Sequence, residues 1–164
     1  MISCGLDSTL RLFDYERQSQ LIYVSPCPLE ACGAITNDMF VGAGDQLLLF
    51  SRKKRAPLFA ASLEDLEGPD ASTRSYAQKL FTAVATLQGY NIVAAAAAGV
   101  VYLLQLEEET LALRARVPLP ELCFINSMLL LQEGTALTLF GCYGPERRWD
   151  RIEHLECKKG VFSL

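Results

Sequence analysis

The sequence is poor in the groups that hold metals. It has one histidine, His154, and its six cysteines (Cys4, Cys27, Cys32, Cys123, Cys142 and Cys157) show no paired spacing. A zinc site draws on two short-spaced pairs of Cys or His, so no metal centre is expected. The cysteines read as free thiols, used as small apolar residues in a reducing compartment. An excess of positive charge is also missing: 15 Lys and Arg face 19 Asp and Glu, for a net charge of −4. No bulk field therefore draws the chain to nucleic acid or an anionic membrane, and any RNA contact must come from local basic clusters.

Catalytic signatures are absent as well. There is no phosphate-binding Gly-rich loop, no Gly-x-Ser-x-Gly and no histidine paired with a nucleophile, so no catalytic residue, cofactor or enzyme activity is expected. Met1-Ile2-Ser3-Cys4-Gly5 lacks a basic stretch followed by an apolar one, so no signal peptide is expected. Charge is missing altogether from Leu80 to Leu106, a run long enough to span a bilayer. Gln88-Gly89-Tyr90-Asn91 is a turn signal inside it and Gly99 breaks it again, so buried strands joined by turns are expected, not a membrane span.

What is present is a repeat. Gly5-Leu6-Asp7-Ser8-Thr9-Leu10-Arg11-Leu12-Phe13-Asp14 is a tight turn with an Asp, leading into an alternating strand closed by an aromatic. An Asp suits such a turn because its carboxylate accepts backbone N–H groups. The unit returns at Gly42–Ser51, with Asp45 and Phe50 in the same places, and again, worn down, at Ala98–Gln105. A fourth copy ends in Arg148-Trp149-Asp150-Arg151-Ile152. Phe13, Phe50, Leu103 and Ile152 are 37, 53 and 49 residues apart, against a usual period of about 40–45 for WD repeats, so the later copies carry insertions. Asp7, Phe13, Asp45, Phe50 and Trp149 are the structural residues of this repeat, Phe13 standing where the repeat usually has Trp.

Short strands at regular spacing, separated by turns, predict an all-β fold of the WD40 β-propeller type. The strands fall at 1–4, 9–15 and 20–25; at 31–36, 39–43, 46–51 and 57–61; at 81–87, 92–97, 100–106 and 111–117; and at 123–131, 136–142, 148–155 and 160–164. One partial-propeller domain, 1–164, therefore has about four blades, at about 1–25, 31–61, 81–117 and 123–164, the first lacking its innermost strand. The polar stretch 64–75 reads as a surface loop with at most a short helical turn. The run Ala94–Ala98 is an odd strand, because alanine has poor β propensity. So few blades leave a partial ring whose end faces need covering by the rest of a propeller, from the same or another chain. Met1 falling inside a blade favours a chain that continues a ring begun upstream.

The charged clusters carry several readings. Glu107-Glu108-Glu109 and Glu64, Asp65 and Glu67 read as solvated turn charges. Arg52-Lys53-Lys54-Arg55 follow a strand and suit a solvated hairpin, a nuclear targeting signal or a phosphate contact. Arg147, Arg148 and Arg151 surround the sole tryptophan, Trp149. That grouping suits RNA through phosphate contact and base stacking, or a buried structural Trp with arginines along its strand.

The order of motifs resembles the C-terminal half of the WD-repeat proteins of the U3 small nucleolar ribonucleoprotein. Gly5–Arg11 matches a Gly-x-Asp-x-x-(Val/Leu)-Arg unit, and Ser51–Pro57 a following Ser-Lys-Lys-Arg-Pro stretch. A longer insertion comes next, then Phe124-Ile125-Asn126-Ser127-Met128, then Gly144-Pro145-Glu146 and Arg148-Trp149-Asp150-Arg151-Ile152, closed by a short final strand at Gly160–Leu164. The resemblance implies a non-catalytic protein of the nucleus and nucleolus. It would bind U3 snoRNA and proteins of the box C/D snoRNP and small-subunit processome, in pre-rRNA processing for 18S ribosome biogenesis. Arg52–Arg55, Arg147, Arg148 and Arg151 would be its candidate RNA contacts. A generic WD scaffold, serving as an adaptor in a ligase or trafficking complex, is the competing reading.

Overall fold

The computed structural model describes the backbone of residues 1–118, 124–133, 136–144 and 160–163, and side chains at 1–118 and 125–131. Four antiparallel sheets follow one another along the chain. The first holds β1 (Ile2–Gly5), β2 (Thr9–Asp14) and β3 (Ser19–Val24). The second is β4 (Leu29–Ala34), β5 (Met39–Gly44), β6 (Gln46–Ser51) and β7 (Lys54–Ser62). The third is β8 (Phe81–Leu87), β9 (Ile92–Ala97), β10 (Val100–Glu107) and β11 (Thr110–Pro118), and the fourth brings together β12 (Phe124–Glu133), β13 (Ala136–Gly144) and β14 (Gly160–Ser163). Each sheet is a meander in sequence order, the pairing expected of propeller blades. The strand expected at 148–155, with Trp149, lies outside the described residues.

Blades pack face to face, and residue alternation decides which neighbour each side chain meets. Leu48 and Phe50 of β6 join Leu10, Leu12 and Tyr23 of the first blade in one cluster. Leu47 and Leu49 turn the other way, into a cluster with Val93, Ala95, Tyr102 and Leu104 of the third blade. Ile92, Ala94, Ala96, Val101 and Leu103 turn away again to meet Ile125 and Leu130. The alanine run is thereby explained. β9 is buried along its whole length, between two partner strands and two neighbouring blades, where close packing overrides propensity. The uncharged run 80–106 forms β8, β9 and β10, and among the described residues no helix is long and apolar enough to cross a membrane.

β4, β8 and β12 lie side by side at the inner edge of their sheets. Each carries a bulge near its start, with Glu30, Thr82 and Asn126 as the extra residues. Gly33 of β4 permits the close approach, because a Cβ there would lie 2.7 Å from Thr86 Cγ2. Thr82 Oγ1 donates to the Ile125 carbonyl at 2.6 Å, joining the third blade to the fourth.

The stretch expected as a surface loop is built more firmly. It holds helix α1 (Leu63–Glu67), a 3-10 turn (Pro69–Thr73) and helix α2 (Tyr76–Lys79). Ser62 and Asp65 form a reciprocal capping box on α1, and Ser75 and Gln78 form one on α2. Leu63, Leu66 and Ala71 are buried in the cluster between the second and third blades. The insertion therefore plugs the outer end of that seam.

Candidate nucleic-acid interface

The four cations Arg52–Arg55 sit at the β6–β7 hairpin, at the opposite end of β6 from Asp45. Register closes the hairpin tightly, Ser51 pairing with Lys54, and all four side chains are exposed. Their surroundings are not uniformly basic. Arg52 Nε donates to the Asn37 carbonyl at 2.9 Å, lies 4.0 Å from the Asp38 carboxylate and stands over the Phe40 ring. Lys54 Nζ reaches both carboxylate oxygens of Glu109, at 2.9 and 3.0 Å, so the acidic β10–β11 turn leans toward the basic one. Lys53 and Arg55 carry no ion pair among the described residues. The hairpin thus offers two uncommitted cations beside two neutralised ones, a smaller phosphate footprint than the sequence suggests.

Arg147, Arg148, Arg151 and Trp149 lie outside the described residues, so the structure neither joins them to the hairpin nor separates them from it.

The repeat residues divide. Asp7 accepts the Thr9 backbone N–H at 3.2 Å and its hydroxyl at 2.7 Å, and pairs with Arg11. The Thr9 hydroxyl holds its carboxyl below the usual range. Asp45 occupies the same middle place in a three-residue turn but accepts the Tyr76 hydroxyl at 2.7 Å, tying the insertion to the blade. Phe50 is wholly buried, tilted against Tyr23 with centroids 5.7 Å apart, whereas Phe13 is only partly buried. The third copy has no Asp, and Ala98 and Gly99 both take positive φ to turn the hairpin.

Sequence reasoning missed one network. Glu67, expected as a solvated turn charge, accepts the hydroxyl of fully buried Tyr102 and pairs with Arg74 at 2.7 Å. Burial first, then the bond to the Glu67 carboxylate, pushes the Tyr102 hydroxyl well above its ordinary value. Arg116 donates to the Leu66 carbonyl beside it. No local pattern signals this, because its members are brought together from an insertion and two strands. Its work is to fasten the insertion. Among the described residues no group of three or more His, Cys, Asp or Glu could hold a metal.

No family model matches the sequence, and no curated protein matches it. Solved structures do. One described as the RRP9 WD40 repeats superposes with a TM-score of 0.72 over 98% of this chain and 49% of its own, at 22% identity. One described as U3-55K gives 0.71 with the same coverage and identity. Saccharomyces cerevisiae Sqt1 gives 0.63 at 11% identity, over 85% of this chain and 39% of its own. The chain thus spans about half the length of the structures it matches. Sheet order, inter-blade packing and superposition agree: this chain has the fold of a WD40 β-propeller, built here as a partial ring of consecutive blades.

Proposed function

We propose that the chain is a non-catalytic WD-repeat subunit of a U3-type small nucleolar ribonucleoprotein. In that role it binds U3 snoRNA and particle proteins, in the nucleolus, during pre-rRNA processing in the small-subunit processome. The observation that carries this reading is the superposition of 98% of the chain on structures described as RRP9 and U3-55K, joined to the ordered motifs between Gly5 and Ile152. Further blades, from the same or another chain, complete the ring by covering the face of the first blade that carries Ile22 and Val24. Lys53 and Arg55 are the hairpin's RNA contacts, with Arg147, Arg148 and Arg151 as the second group.

The mixed charge of the hairpin supports a second reading, a protein-binding scaffold, since paired carboxylates weaken a phosphate site. One experiment separates them. RNA crosslinked to the protein in cells is sequenced, with Lys53→Glu/Arg55→Glu alongside the parent. U3 RNA should be enriched on the parent and fall at least about tenfold on the variant, with a shallower salt dependence. Absence of U3 RNA from the parent would rule out the ribonucleoprotein role, and unchanged recovery on the variant would remove the hairpin from the interface.

A further inference from the structure

Cys4 and Cys32 face one another across the seam between the first and second blades. Cys4 lies on β1, opposite Leu10 in register, and Cys32 on β4, opposite Gly42. Both pack against the seam cluster of Leu10, Leu12, Leu29, Leu48 and Phe50. Their thiols are hydrogen-bonded to each other, with Cys32 donating and Cys4 accepting. Both are free and only partly buried, so a small reagent can reach them. Cys27, the third described thiol, is buried beside the Ser25 hydroxyl.

We propose that Cys4 and Cys32 form a reversible dithiol–disulfide pair, oxidised by low-molecular-weight disulfides, that locks the first blade to the second. The reaction is a double exchange. The Cys4 thiolate attacks one sulfur of the small disulfide, forming a mixed disulfide and releasing one small thiolate. Cys32 then gives up its proton to solvent and its sulfur attacks Cys4 Sγ, forming the Cys4–Cys32 bond and releasing the second small thiolate. Two protein thiols are oxidised and one small disulfide is reduced to two thiols, so atoms and electrons balance.

The order of roles follows from the hydrogen bond. Donation from Cys32 lowers the Cys4 thiol from its ordinary value and raises that of Cys32. The thiolate is the nucleophile in exchange, so Cys4 attacks first and Cys32 resolves. Glu30 and Asp7 oppose the thiolate of Cys4, and negative charge at this place also repels an anionic reagent. A neutral disulfide is therefore the better substrate class.

The test uses the reduced chain, dilute, with 2-hydroxyethyl disulfide at neutral pH. Monomer is isolated, remaining thiols are alkylated in acid, and tryptic peptides are mapped by mass spectrometry. The dominant product should be the peptide Met1–Arg11 linked to Gln18–Arg52, undone by reductant. Cys27→Ser should leave that link intact. Cys32→Ser should abolish it and leave Cys4 carrying the small thiol. Cys4 and Cys32 recovered in the parent as separate adducts or as free thiols, or Cys4 linked to Cys27 or any other cysteine, would overturn the proposal.

Discussion

β2 and β6 are copies of one sequence unit that live in different surroundings. In β6, Leu47, Leu48, Leu49 and Phe50 are all fully buried, because the second blade has a neighbour on each face. In β2 only Leu10 and Leu12 are buried, while Arg11 and Phe13 turn to the other face. That face continues onto β3, where Ile22 stands opposite Arg11 and Val24 opposite Thr9, 52% and 71% exposed. The same pattern of residues thus yields a two-sided core strand in one blade and a one-sided strand in the other. Stability in a repeat array is set by neighbours as much as by the repeat itself.

Paired truncations break the comparison most strongly. Leu49→Ala opens a cavity between two blades and should cost about 2–5 kcal/mol, whereas Ile22→Ala on the open face should change stability by less than about 0.5 kcal/mol. Denaturant titration of the two variants measures both. Equal losses would mean that the first blade is covered on both faces.

The inner edge sharpens the picture. Gly33→Ala drives a methyl into Thr86 and should cost about 1–3 kcal/mol. Adding Thr86→Ala should return most of that loss, since the obstructing atoms are Cγ2 and Oγ1 of one side chain. Failure of the double variant to recover would place the strain in the backbone of β4 instead.

The insertion gives the smallest effect. Ser62→Ala removes the N-cap of α1 and should cost about 1 kcal/mol. The Ser62 hydroxyl and N–H hold the Asp65 carboxyl below its ordinary value. A lowered folded value adds stability that is present above the unfolded value, about 3.9, and is lost as pH falls through the folded one. The parent should therefore lose more stability than the variant on acidification below about pH 4, as thermal melts across that range would show.

Much of the fold was legible in the sequence, because hydrophobic alternation and turn residues report on strands directly. Gly5–Asp14 and Gly42–Ser51 show their strands and their Asp-centred turns on inspection. The bulges at Glu30, Thr82 and Asn126 were not legible, since no residue type marks a bulge. The Glu67–Arg74–Tyr102 network was hidden by its sequence separation, and it turned a supposed loop into a docked plug. For the candidate interface the sequence showed four cations in a row but not the carboxylates of Asp38 and Glu109, which reach them only in the folded chain.

Hydrogen–deuterium exchange of the isolated chain, read by mass spectrometry strand by strand, tests the central claim most directly. Amides of β6 and β9, flanked by strands and blades on all sides, should exchange slowest, and those of β3, at an outer edge with one open face, should exchange fastest among the described strands. Protection of β3 equal to that of β6 and β9 would contradict the partial ring.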